Sequence, residues 1–417
     1  MDKNQLKEIV VDQKSGFEKK HQFIERKVSE KIIKSSKITA IVGVRRCGKS
    51  TLLKQLKNRY PGYYYLNFED ERLLDFQVED FNNLLEIFFT LYDHHSVFFF
   101  DEIQNIVGWE KFVSRLYGDG YKVFVTGSSA KLLSSELSTS LTGRHQKIEL
   151  YPFSWLEYLQ YHDFQNKKIY TTKEKSQINK LFDRYLLLGG FPEVVQSRDS
   201  DELKQLYQDI LIKDIIVRYQ IKDVQSFREL SLYILSNPST LISYNNLAKI
   251  LKFQSVSTVK NYFEFLESSY LYFLISKYDY SVKKQIINNK KIYSIDTGLI
   301  NAVSFSFSKN IGRLLENITF LELKRRNKEI YYHSDKHECD FVIKEKNTIT
   351  AAIQVTQKID GKNESREING LLDAMNTYKL KTGLILTRYD DDVIKINRQT
   401  IYVKPIWKWL MQNNTHR

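Results

Sequence analysis

The run Gly43-Val44-Arg45-Arg46-Cys47-Gly48-Lys49-Ser50-Thr51 satisfies the pattern G-x-x-x-x-G-K-[ST] at every fixed position. Two glycines at this spacing let backbone amides curl round phosphate oxygens. The lysine adds a point charge for the β- and γ-phosphates, and the hydroxyl that follows suits magnesium. Ile38–Val42 reads as a buried strand before the loop, and Leu52, Leu53 and Leu56 as the apolar face of a helix after it. Strand, loop and helix in that order are the context this chemistry needs. The whole of Gly43–Thr51 is therefore expected to bind a nucleoside triphosphate, ATP with Mg2+, with Lys49 on the phosphates and Ser50 on the metal.

About fifty residues further on, Val97-Phe98-Phe99-Phe100 leads into Asp101-Glu102. A continuous apolar run suits a central parallel strand covered on both faces, and acids at its end would face the ligand crevice. Asp101 is expected to hold magnesium through water, and Glu102 to polarise the attacking water. Strand Lys122–Thr126 ends in Gly127-Ser128-Ser129, where Ser128 could sense the γ-phosphate or simply shape a turn. Arg144 precedes a short strand at Lys147–Leu150. It could neutralise transition-state charge as an arginine finger, or be an ordinary surface arginine.

Around these sites stand Asp101-Glu102-Ile103-Gln104, Gly108-Trp109-Glu110, Thr126-Gly127-Ser128-Ser129, Leu141-Thr142-Gly143-Arg144 and Tyr151-Pro152-Phe153-Ser154. As a set they resemble the AAA-type P-loop ATPases of archaea and bacteria that carry a C-terminal domain of uncertain function. The resemblance implies an ATPase sheet with the Ser128 strand between the loop strand and the Asp-Glu strand. It also implies Arg144 as the family's conspicuous arginine, acting on its own nucleotide or a neighbour's. Gly189-Gly190-Phe191-Pro192-Glu193 extends the likeness and physically makes a tight turn between helices.

From Trp155 to about Phe227 the pattern is helical, as in a lid over the nucleotide; Lys213, Asp214 and Arg218 form a solvated face or reach towards it. Ser243–Lys284 has helix-turn-helix proportions, with Ser257 as cap, apolar Val259, Tyr262, Phe263 and Leu266, and wing strands at Tyr270–Ile275 and Tyr278–Lys283. In a DNA-binding reading Ser257, Thr258, Lys260 and Asn261 face the major groove and Lys283 and Lys284 touch phosphate. Glu264 and Glu267 on the same helix oppose that reading, since they repel a duplex.

The last third reads helix Gly312–Arg326, strands Glu338–Ile343 and Ile349–Thr356, a helix near Asn369–Tyr378 and a strand at Gly383–Thr387. It looks like the restriction-endonuclease-like fold, in which an Asp on one strand and acid-x-Lys on the next hold metal. Asp340 fits the first position and Glu316 an accessory acid, but the second strand carries Gln354-Val355-Thr356. Without that acid divalent-metal affinity falls, and Thr356 cannot replace the lysine. Lys358 lies on the same strand face and could substitute, but a degenerate site is the better reading, and His333, His337, Glu338 and Asp340 form a loose metal-like cluster that a polar hairpin explains better.

The expected fold class is α/β. A P-loop NTPase core of AAA type covers 1–160, a helical lid 161–230, a winged helix 231–295 and a degenerate restriction-endonuclease-like domain 296–417. With 63 basic against 50 acidic residues the chain carries +13, which favours an anionic partner. Two distant cysteines fit a reducing compartment, and no apolar run approaches the ~20 residues that span a bilayer. A polar start without a signal-peptide pattern completes the expectation of a cytoplasmic protein with no membrane contact. The function expected is an ATP-driven switch acting on DNA or a DNA-associated partner. An ATP-gated metal-dependent nuclease and a switch for protein partners, homo-oligomers included, stand beside it.

Overall fold

The computed structural model describes residues 1–19, 23–128, 143–167, 169–304, 311–361 and 363–412. Ser129, Leu141 and Thr142 lie outside them. The chain divides into two compact units, Met1–Tyr151 with Ser268–Tyr270, and Pro152–Glu267 with Leu271–Arg417.

In the first unit five parallel strands are β1 (Ile38–Val42), β2 (Tyr64–Asn67), β3 (Val97–Asp101), β4 (Lys122–Gly127) and β5 (His145–Glu149). Their order is β2-β3-β4-β1-β5, so the Ser128 strand does run between the loop strand and the Asp-Glu strand. Phe98, Phe99 and Phe100 are all fully buried, which is why the run carries no polar residue. Successive side chains go to opposite faces. Phe98 and Phe100 enter the main core, while Phe99 stacks on Phe124 with centroids 5.1 Å apart. Each such burial contributes about 1.5–3 kcal/mol. Helix Lys3–Glu18, capped by the Asp2 carboxylate, adds Leu6, Ile9 and Val10 to the same core. Register aligns the strand ends. Val42 pairs with Gly127 and Asn67 with Asp101, so the loop, the acids and Ser128 leave the sheet at one edge.

The second unit begins with helices, including Trp155–Tyr161 and Thr172–Leu188. Next come β6 (Thr240–Ile242), helices Tyr244–Ile250 and Val256–Ser268, then β7 (Tyr272–Ser276) and β8 (Lys290–Ser294), antiparallel in the order β6-β8-β7. Two expectations change here. The partner of β7 is β8 rather than Tyr278–Lys283, because Val282–Ile287 is a short helix whose Lys284 amide bonds the Ser281 hydroxyl. Lys283 and Lys284 therefore stand on a helix. The cap of Val256–Ser268 is Ser255, whose hydroxyl accepts from the Ser257 amide at 3.1 Å.

The remaining strands are β9 (Glu329–Ser334), β10 (Glu338–Glu345), β11 (Thr348–Val355), β12 (Thr382–Thr387), β13 (Asp392–Ile396) and β14 (Gln399–Pro405), in the order β13-β14-β12-β11-β10-β9. β9, β10 and β11 are antiparallel, whereas β11, β12 and β14 run parallel. Helix Glu364–Thr377 covers one face with Leu371, Ala374 and Met375 against Cys339, Val342 and Ile385.

Two of the sequence motifs meet in this unit, together with Asp296-Thr297-Gly298-Leu299. The Phe153 amide donates to the Gly190 carbonyl at 2.6 Å. Asp296 accepts from the amides of Gly190 (2.7 Å), Gly298 (2.7 Å) and Leu299 (3.2 Å). A Cβ at Gly190 would lie 2.3 Å from the Phe153 carbonyl oxygen, and one at Gly298 2.2 Å from that of Leu188, so neither tolerates a side chain. Ser154 and Glu157 form a reciprocal capping box on the next helix. These residues hold backbone segments together. We predict that Asp296→Ala strands three buried donors and costs about 2–4 kcal/mol. The midpoint of urea unfolding followed by far-UV circular dichroism should fall accordingly; an unchanged midpoint would contradict the role given to Asp296.

Candidate active site

The loop after β1 is held from behind. A Cβ on Gly43 would lie 2.1 Å from the Leu150 carbonyl oxygen, and Gly48 sits at φ +103, where side chains are strained. Helix Lys49–Lys57 starts there, so its first turn and the positive end of its dipole follow the loop directly. Arg26 braces the loop, with its guanidinium donating to the carbonyls of Cys47 (2.9 Å) and Tyr151 (3.1 Å). Gln55 fixes Arg26 in turn by accepting from its amide (3.0 Å) and donating to Ile24 (2.7 Å). Cys47 is fully buried, and burial raises its thiol pKa, so it serves as packing rather than as a nucleophile.

Lys49 is buried with its ammonium 3.3 Å from the carbonyls of Gly43 and Val44 and 3.4 Å from Glu102 Oε1. The other Glu102 oxygen accepts from Gln104 at 2.5 Å. Thr126 joins the two acids. Its hydroxyl accepts from the Glu102 amide at 2.9 Å and donates to Asp101 Oδ1. Burial, then the Glu102 charge, pushes Asp101 up to about 6, with the Ser50 and Thr126 hydroxyls and Lys49 pulling the other way. Burial also opposes ionisation of Glu102, but Lys49, Gln104 and Arg45 outweigh it and its pKa lies below the usual value. The site thus holds an ionised carboxylate beside an ammonium.

Ser128 is buried immediately after β4, at the edge that carries the loop and Asp101. Arg45 pairs with Glu69 at 2.8 Å, and Arg46 is exposed. Arg144 is elsewhere. Its carbonyl accepts from the Ile38 amide at 3.0 Å, at the start of β1, and its exposed guanidinium lies 3.5 Å from the Ser114 hydroxyl. The strand length puts it roughly 15 Å from its own loop at about 3.3 Å per residue.

In the second unit Glu316 and Asp340 do come together, joined by Glu338, on a residue the motifs did not mark: Lys291 of β8. Gln354 donates to Glu367 at 2.7 Å and accepts from the Asp340 amide at 3.2 Å. Thr356 donates to the Lys358 carbonyl, and Lys358 itself pairs with Asp360 on the surface, so it does not stand in for a catalytic lysine. His333 is buried between Tyr378 (3.0 Å) and Asp373 (3.1 Å). Lys213 pairs with Asp209 at 3.3 Å. Among the described residues no group of His, Cys, Asp and Glu has metal-binding geometry.

Comparison with known proteins agrees with the first unit's geometry. Residues 35–159 match the AAA domain family, and 179–310 match a domain of unknown function. An uncharacterized protein of Methanocaldococcus jannaschii is 36% identical, over 98% of this chain and 96% of that one. The chain belongs to that protein's family, with an AAA domain near its start. A Haemophilus influenzae member is 30% identical over 90% of this chain and 94% of its own. Among solved structures, Caenorhabditis elegans PCH-2 covers 62% of this chain and 68% of its own at 14% identity, with a TM-score of only 0.22. Pyrobaculum aerophilum Cdc6p gives a TM-score of 0.23 at 11% identity, over 68% of this chain and 88% of its own. No helix among the described residues is long and apolar enough to cross a membrane.

Sequence reading assigned no role to Arg26, Gln55, Thr126, Gln104 or Lys291. Thr126 and Gln104 stand in the runs that carry the resemblance, whereas Arg26, Gln55 and Lys291 carried no signal. For the AAA domain we predict that Arg26→Ala loosens the loop by about 1.5–3 kcal/mol, the worth of a hydrogen bond to a charged group. Amide exchange at Gly48–Thr51 should rise at least tenfold with β1 and β4 unchanged. Arg26→Lys should rescue it poorly, because one ammonium cannot span two carbonyls as the fork does. Unchanged exchange in Arg26→Ala would remove the brace.

Proposed function

We propose that the AAA domain hydrolyses ATP to ADP and phosphate, and that this drives a switch. The supporting observation is the Lys49–Glu102 pair at 3.4 Å, set where the phosphate-binding loop meets the Asp-Glu strand. The cradle suits a triphosphate, since Gly43 and Gly48 leave no room or conformation for side chains and the helix amides point into the hollow. Ser50 and Asp101 would hold the magnesium ion, which supplies charge neutralisation of the phosphate oxygens.

The chain's own groups then have distinct tasks. The amides and Lys49 bind the β- and γ-phosphates. A γ-phosphate competes with Glu102 for the Lys49 ammonium, and this frees Glu102 Oε1. Gln104 keeps Oε2 fixed, so Oε1 is the oxygen that takes the proton of the attacking water as the bond between the γ-phosphorus and the bridging oxygen breaks. Ser128 senses the γ-phosphate from the adjoining strand end. Arg144 is too far from its own loop to act there, which supports a role on the nucleotide of a second copy.

The target of the switch is read as DNA or a DNA-associated partner. The net charge of +13 and the exposed Lys260, Asn261, Lys283 and Lys284 support it, on a helix, strand, helix, helix, strand, helix, strand order in which a short helix replaces part of the wing. A protein partner is the second reading, favoured by Tyr280, Val282, Ile286 and Ile287, all more than two-thirds exposed beside those lysines. DNA binding measured across a salt series separates them. Binding that falls with salt supports the first, and none at low salt refutes it.

Lys49→Ala should abolish ATP binding and turnover, while Glu102→Gln should bind ATP and turn it over at least a hundredfold more slowly. Full turnover in either variant would overturn the assignment. Asp101 must be ionised to hold magnesium, so kcat/KM should fall as pH drops through about 6. Thr126→Val removes a hydroxyl that stabilises the carboxylate, and the Asp101 pKa rises. The acid limb should therefore move to higher pH; a limb that stays or moves down contradicts the role of Thr126.

A further inference from the structure

Lys291 is the second residue of β8 and almost wholly buried, a costly place for an ammonium. Its Nζ lies 2.8 Å from Glu316 Oε1, 2.8 Å from Glu338 Oε1 and 2.8 Å from Asp340 Oδ1. Glu338 Oε1 and Asp340 Oδ1 each accept a hydrogen bond from it, and Glu316 Oε1 faces it as an ion pair. Tyr293 donates to that same Glu316 oxygen at 2.7 Å, and the Val355 amide donates to Asp340 Oδ2 at 2.9 Å. Burial opposes the Lys291 charge, but Asp340, Glu316 and Glu338 outweigh it, so the lysine stays protonated well above its usual range.

These acids come from two elements: helix Ile311–Arg325 gives Glu316, while Glu338 and Asp340 are alternate residues of β10. Such convergence of carboxylates is what a hard divalent cation requires, with six or more oxygens at about 2.0–2.6 Å. The arrangement does not fit one. Its oxygens surround a nitrogen at hydrogen-bond distance, and β11 adds no ligand, because the Gln354 carbonyl is spent on the Asp340 amide and its NH2 on Glu367.

We propose that the Lys291 ammonium is a tethered cation standing where this acid cluster would otherwise hold a divalent metal ion, so that the second unit is metal-independent and cleaves no phosphodiester bond. The lysine carries one charge where a metal would carry two, holds no water and presents no open coordination position. It supports folding in the way a structural metal does, without responding to metal supply. This goes beyond the proposed ATP hydrolysis and does not depend on it.

The test uses the full chain in an Asp101→Asn background, so that the nucleotide site contributes no metal, with Mn2+ alone as probe. With Lys291 present, electron paramagnetic resonance should detect no bound Mn2+ at millimolar concentration, and EDTA should leave the melting temperature unchanged. Lys291→Ala should melt at least about 5 °C lower, bind one Mn2+ per chain and recover with it; adding Asp340→Asn should abolish that binding. One Mn2+ bound with Lys291 in place, or Mn2+-dependent plasmid cleavage lost in Lys291→Ala, would overturn the proposal. So would a folded Lys291→Ala that takes up no Mn2+. If that variant fails to fold, the measurement on the Lys291-containing protein decides alone.

Discussion

A charge removed from water must be met by opposite charge and by hydrogen bonds, or the fold loses several kcal/mol. Both charged clusters of this protein are arranged by that constraint. In the AAA domain the Lys49 ammonium and the Glu102 carboxylate neutralise each other, and Thr126 binds the two acids into one rigid group. In the proposed mechanism that pairing makes the site responsive: a triphosphate offers Lys49 a better partner than Glu102, and ligand binding releases the group assigned to activate water. In the second unit Glu316, Glu338 and Asp340 surround the Lys291 ammonium and neutralise it in the same way.

The motifs shared with the AAA-type resemblance divide accordingly. Those at the sheet edge bring together Lys49 and Glu102, to which the proposed chemistry is assigned. Those further along carry architecture: Phe153, Gly190 and Asp296 lie far apart in sequence yet form one hydrogen-bonded knot around glycines that admit no Cβ. A carboxylate accepting three amides is a strong local restraint.

What could be read in the sequence was whatever local pattern determines. The loop, its strand and its helix follow from glycine spacing and apolar runs, and the order of the parallel strands agrees with the resemblance. Pairing over long separations was not readable. Arg26 reaches Tyr151 across more than a hundred residues, and Lys291 looks like any lysine in Lys290-Lys291-Ile292-Tyr293 until its strand meets Asp340. Alternation misled at Tyr278–Lys283, where Ser281 begins a helix instead. The hairpin of β13 and β14, turning at Asn397 in a left-handed conformation, was missed: β13 is mostly exposed and lacks an apolar run, and β14 buries only alternate residues such as Ile401 and Val403. Arg144 was identified as a residue, but only the register of β1 and β5 shows which end of the sheet it occupies.

The central claim is that the Lys49–Glu102 pair serves phosphoryl transfer to water. Its most direct test is 31P NMR of the wild-type protein with MgATP through many turnovers. The account predicts ADP and inorganic phosphate accumulating in equal amounts, with no AMP or pyrophosphate. ATP that stays intact while bound, or release of AMP, would contradict it.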